Sequence, residues 1–221
     1  MRNWQNLSRF SRIRCCRNEY NKGMTEKEDL LKRYPFYQKM KIEGERPVKA
    51  DEILCSAIDR LQKAAADPLK LCDWVEGVHY IFEEIPQRGL TSKGWIKLNH
   101  KGMTEWTVVH ELAHAWDAAH DWQVSKQMSK ATGSGFFSKW LHRRFPTNPR
   151  FWYRVGMPPA PCGIDKNFNE KEDFAEAVTA YLFPDDAHKK ASKRNASYEF
   201  NGFIHFHDTP RGRFIRHLFG K

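Results

Sequence analysis

The sequence predicts an α+β fold: a small twisted sheet packed on one central helix, followed by a mainly helical C-terminal part. Three observations carry this. Short strand-like runs stand just upstream of the longest helical stretch, helical periodicity resumes after a Gly/Pro-rich interval, and the order of elements is helix, strands, helix, loop, helix. With 221 residues, 40% hydrophobic and 14% aromatic, the chain has enough bulky apolar material to bury a core in one domain. That composition excludes a disordered chain.

Residues 1–49 read as a basic N-terminal arm. The first eighteen hold five Arg and no acidic residue, and 19–49 are polar and interrupted by Pro35, Gly44 and Pro47. After Pro47, Ile53, Leu54, Ala57, Ile58 and Leu61 recur at helical spacing, and Asp67-Pro68 ends that helix. Residues 78–82 read as a strand, Gly89 marks a turn, and 94–99 alternate as a second strand, expected to be the sheet edge that pairs with an extended peptide. Thr104 is a candidate N-cap for a long helix reaching about Met128. Residues 131–168, rich in Gly, Pro, Phe and Trp, read as loops. Asn169 then opens a helix that ends before Pro184. The expected division is a basic arm at 1–49, a catalytic-sized domain at 50–187 and a basic extension at 188–221 that packs on it.

The formal net charge of +10 is concentrated at the ends: residues 1–50 carry +7, residues 188–221 carry +6, and the stretch between carries −3. Basic ends are compatible with nucleic-acid contact, but no RNP-like, helix-turn-helix or zinc-finger pattern accompanies them. Solvated flanks are the plainer reading. No apolar run approaches the roughly 18–20 residues that span a bilayer, which excludes an integral helical membrane protein. Five Cys, at 15, 16, 55, 72 and 162, form an odd set without regular spacing, so a reducing, cytoplasmic setting is expected rather than a disulfide framework. The Arg-rich, acid-free start makes an organellar address the alternative.

The chemistry lies in Val108-Val109-His110-Glu111-Leu112-Ala113-His114-Ala115-Trp116-Asp117. On a helix, His110 and His114 sit one turn apart and present both imidazoles on one face, the arrangement that suits two ligands of one tetrahedral Zn²⁺. Glu111 is then placed to take a proton from the attacking water as general base. Two positions compete to be the third ligand. Glu172, in Asn169-Glu170-Lys171-Glu172-Asp173-Phe174-Ala175-Glu176, lies one turn from Glu176 and opposite the apolar stripe of Phe174, Ala177, Val178 and Tyr181. In that case Glu172 binds the ion and Glu176 orients a ligating His. Asn169 and Glu172 also match a capping box, the purely structural explanation. His120 is the alternative, because His110, His114 and His120 reproduce an HExxHxxGxxH spacing with Asp117 where Gly is expected. Unless the helix breaks there, His120 points about 120° off the face of His114. His205 and His207 alternate along a possible strand, and two His without a third ligand more often line a cleft than bind a metal.

HELAHAWD followed by EDFAE resembles the gluzincin metallopeptidases, in which HExxH on one helix pairs with a Glu on a later helix. Glu172-x-x-Ala175-Glu176 is similar to the ExxA[D/E] signature of the CAAX-processing zinc proteases. NEKEDFAEA resembles the corresponding helix of the anthrax lethal factor catalytic domain, which also has Asp at the position of Asp117. The resemblance implies a zincin-like fold over roughly 78–184, one Zn²⁺ held by His110, His114 and Glu172, Glu111 as base, and Asp117 and Glu176 around the ligands. It implies hydrolysis of a peptide or protein substrate. Where the lethal factor type carries Tyr-Gly before the ligand Glu, this chain has Cys162-Gly163. The oxyanion donor is therefore open among Tyr153, His205 and His207, and Cys162 is a possible zinc contact. The rival expectation is a basic nucleic-acid-associated protein with a structural or regulatory zinc site.

Overall fold

The computed structural model describes residues 27–67, 74–132, 169–187, 189 and 206–221. Among them a four-stranded sheet forms from β1 (Lys41–Glu43), β2 (His79–Phe82), β3 (Gly89–Ser92) and β4 (Trp95–Leu98), in the spatial order β1-β2-β4-β3. β1, β2 and β4 run parallel, and β3 is antiparallel to β4. Tyr80 pairs with Ile96 and Phe82 with Leu98, and all four are buried. The two-residue period of a strand puts them on one face. That face shares a core with Leu54, Ile58 and Leu61 of α2 (Val48–Ala64) and with Val108, Val109 and Leu112 of α3 (Glu105–Ala119).

The mixed α+β architecture with a small sheet and a helical remainder is as the sequence predicts. The strand assignments differ in two ways. The turn assigned to Gly89 lies instead at Lys93-Gly94, where Ser92 faces Trp95 and Gly94 takes a φ of +84°, a conformation that costs glycine little. Gly89 opens β3. In consequence β4, expected at the edge, has β2 on one side and β3 on the other, and β3 is an edge strand of the sheet.

The segment read as an irregular arm contributes to the core from residue 27 onward. Residues 27–33 form a short helix, α1, and Pro35–Lys39 a 3-10 turn; Leu30, Tyr37 and Met40 are buried, and β1 joins the sheet. Arg46 bridges to Asp51 at 2.5 Å, and Tyr37 donates to the same carboxylate at 2.6 Å, tying this segment to α2. A three-residue strand is too short for alternation to reveal.

The long helix expected from 104 to 128 is two helices. α3 ends at Ala119, Asp121 and Trp122 adopt φ of 53° and 60°, and α4 (Gln123–Ala131) follows. α5 (Glu170–Leu182) packs across α3, and α6 (Pro210–Leu218) packs on α5. Arg211 of α6, fully buried, makes a two-pronged pair with Asp173 of α5 at 2.7 and 2.5 Å. Phe206–Asp208, expected as part of a strand, is a 3-10 turn. No helix among the described residues is long and apolar enough to cross a membrane. Of the loops expected at 131–168, Ala131 instead ends α4 and Thr132 is its C-cap, while 133–168 lie outside the described residues, as do Cys15, Cys16 and Cys72. Cys55 is a buried free cysteine.

Candidate metal centre

Two capped helix starts build the site. The Thr104 side chain accepts from Thr107 N at 3.2 Å, fixing the first turn of α3, and Val108, Val109 and Leu112 bury one side of the helix. The opposite turn carries His110 and His114. Asn169 Oδ1 accepts from the backbone of Lys171 and Glu172 at 2.9 and 3.3 Å, so Asn169 is the N-cap of α5. Phe174, Ala177 and Val178 bury that helix against the core and carry its first turn over α3.

At this crossing three donors converge. His110 Nε2 and His114 Nε2 are 3.1 Å apart, Glu172 Oε2 is 3.2 Å from His110 Nε2, and Glu172 Oε1 is 3.3 Å from His114 Nε2. Bonds of about 2.0–2.1 Å to one tetrahedral ion place its ligands about 3.3 Å apart. The three side chains could hold a metal ion. Behind them Glu176, fully buried, sets Oε2 3.4 Å from His110 Nδ1, so the ring is held at its outer nitrogen as its inner one faces the group.

No protein-family model, curated protein or solved structure matches the chain.

The electrostatics follow from the geometry. Burial alone would drive the proton off His110, but the carboxylates of Glu172 and Glu176 outweigh it and raise the imidazole to about 10. Burial would likewise raise Glu172, yet hydrogen bonds from His110 and His114 hold it well below the usual carboxylate range.

The other expected site residues are placed as follows. Glu111, nearly buried, lies against β3: Thr91 Oγ1 donates to its Oε2 at 2.6 Å. His120 is at the C-cap of α3, exposed, with Nδ1–H donating to the Trp116 carbonyl at 2.8 Å, and it stays outside the three-residue group. The break that would have redirected it comes after it, at Asp121 and Trp122. Asp117, expected beside a ligating His, engages α4 through one of its carboxylate oxygens. It remains helical, and its Oδ1 accepts from Val124 N and Ser125 N at 3.0 and 3.1 Å, capping α4 from within α3. His207 donates Nε2–H to the Tyr181 carbonyl at 2.7 Å and packs on that ring, which commits it away from the group. Tyr153, Cys162 and His205 lie outside the described residues.

Gly89 and Thr91 carried no motif in the sequence, yet both touch Glu111. Only the pairing of β3 beside α3 brings them there, and local spacing has no signal for that.

Proposed function

We propose that the protein is a zinc-dependent metallopeptidase of the gluzincin kind, with a zincin-like fold, that hydrolyses peptide bonds in a peptide or protein substrate. One observation carries the proposal: the Nε2 atoms of His110 and His114 stand 3.1 Å apart with the Glu172 carboxylate spanning both, Oε2 3.2 Å from one and Oε1 3.3 Å from the other, so two imidazoles and a carboxylate converge within reach of one ion. His110, His114 and Glu172 would hold Zn²⁺, and among the described residues the group has three members. Structural zinc sites take four protein ligands, whereas catalytic ones take three and leave a position open. An exchangeable water at the fourth position of the zinc-loaded protein is the outcome that separates chemistry from a structural role.

A zinc ion held by His110, His114 and Glu172 would supply Lewis-acid polarisation of the scissile carbonyl and of the attacking water. Glu176 keeps His110 in the orientation that directs Nε2 inward. Glu111 would accept the proton of the attacking water as the C–O bond forms, and deliver it to the leaving nitrogen as the C–N bond of the resulting tetrahedral carbon then breaks. β3, an edge strand beside Glu111, is the element on which an extended substrate would pair; β4, first expected in that role, has both sides occupied.

The test is zinc content and hydrolysis of an unfolded protein such as casein, using the full chain. The wild type and His120→Ala are expected to bind about one zinc per chain, and Glu172→Ala to lose it. Glu111→Gln should retain zinc and lose hydrolysis. Zinc retained in Glu172→Ala would overturn the ligand set. A zinc-loaded, folded wild type without hydrolysis, but with salt-sensitive nucleic-acid binding, would overturn the peptidase reading in favour of a nucleic-acid-associated protein.

A further inference from the structure

Glu111 is held by two residues of the edge strand, neither part of any motif. Gly89 and Thr91 are two apart on β3 and therefore share a face. The φ of Gly89 is not in the left-handed region, so the backbone does not demand glycine there. Space does: a Cβ at position 89 would stand 2.4 Å from Glu111 Cγ and 2.6 Å from both Cδ and Oε1. Contacts that close do not occur between real atoms, so any other residue must displace the Glu111 side chain. Beside this gap Thr91 Oγ1 lies 2.6 Å from Glu111 Oε2 and 3.3 Å from the Glu111 carbonyl oxygen. A hydroxyl has one proton, and the shorter contact, to the carboxylate, takes it.

We infer that Thr91 is a positioning residue for Glu111, and that the missing side chain at Gly89 forms the notch in which the carboxylate is held. The inference rests on the reading of Glu111 as general base. Thr91 occupies Oε2, which leaves Oε1 to accept the proton of the attacking water. It also holds the carboxylate on β3 rather than among the ligands, so Glu111 does not fill the coordination position that the reaction needs. A purely structural role, pinning α3 to the sheet, would make the contact matter for stability but leave the carboxylate where it is when the donor is removed.

The experiment compares zinc-loaded wild type, Thr91→Val, Thr91→Ser and Gly89→Ala by crystal structure, zinc content and steady-state peptide hydrolysis. Thr91→Val removes the donor at nearly constant shape, and Thr91→Ser keeps it. Thr91→Val and Gly89→Ala are expected to bind about one zinc, to show Glu111 moved from its wild-type rotamer, and to lose kcat by about 10–100-fold with KM little changed. Thr91→Ser is expected to restore both rotamer and kcat. If Thr91→Val does not fold, Gly89→Ala disturbs the same carboxylate without touching the hydroxyl, and the same comparison decides. Glu111 in its wild-type rotamer in the folded variants would overturn the inference, as would an unchanged kcat. Should wild type bind zinc yet hydrolyse nothing, the peptidase reading fails, and the Glu111 rotamer still decides whether Thr91 and Gly89 place it.

Discussion

Glu176 Oε2 lies 3.4 Å from His110 Nδ1, joining the two helices behind the three converging donors rather than among them. The carboxylate is fully buried, and its contact selects the tautomer that leaves Nε2 free to ligate. Glu176→Gln is expected to keep the fold and weaken metal affinity by about 10–100-fold, read by competition with a chromogenic chelator. Affinity equal to wild type would remove Glu176 from the site.

Asp117 makes the opposite prediction. Because its Oδ1 caps α4 through Val124 N and Ser125 N, Asp117→Ala should cost about 1–2 kcal/mol in urea denaturation while zinc stoichiometry is unchanged. Loss of zinc from a folded Asp117→Ala would return the residue to the metal centre.

The Arg211–Asp173 pair ties the C-terminal helix to the residue next to ligand Glu172. Both side chains are almost fully buried, at 1% and 4% exposure, so removing one leaves the other charged and unsolvated. Arg211→Ala is expected to destabilise the protein by about 3–5 kcal/mol, whereas the double change Arg211→Met with Asp173→Leu should recover most of that loss. Chemical denaturation of the three proteins checks it, and equal stability of single and double variants would refute it.

The metal-free protein should show a pH window. His110 is raised to about 10 from 6.5, since the Glu172 and Glu176 carboxylates outweigh burial. Its contribution is complete below about pH 6.5 and is lost as pH rises towards about 10. Glu172 is lowered from 4.5, since His110 and His114 outweigh burial, so its contribution is complete above about pH 4.5 and is lost on acidification. Stability from this cluster should therefore be greatest between about pH 4.5 and 6.5. Urea midpoints of chelator-treated wild type and Glu172→Gln across that range and up to about pH 10 test it. A difference between the two that does not shrink above about pH 6.5 would contradict the assignment.

Helix-borne features could be read from the chain because their geometry is set within a few residues. The i, i+4 spacing places His110 and His114 on one face. Thr104 and Asn169 mark helix starts through hydrogen bonds to amides two or three positions on. Glu172 and Glu176 stand one turn apart for the same reason. The sequence by itself thus determined the mixed α+β class, the two capped helices and the residues able to meet at their crossing. Tertiary structure decided what those residues meet. The order β1-β2-β4-β3 places β3, not β4, at the edge and lays Gly89 and Thr91 against Glu111. It draws the segment from residue 27 into the core, commits Oδ1 of Asp117 to α4, and buries Arg211 on Asp173. Each of these depends on strand pairing or helix docking between separate segments, and local periodicity records which face of an element is buried but not which partner buries it.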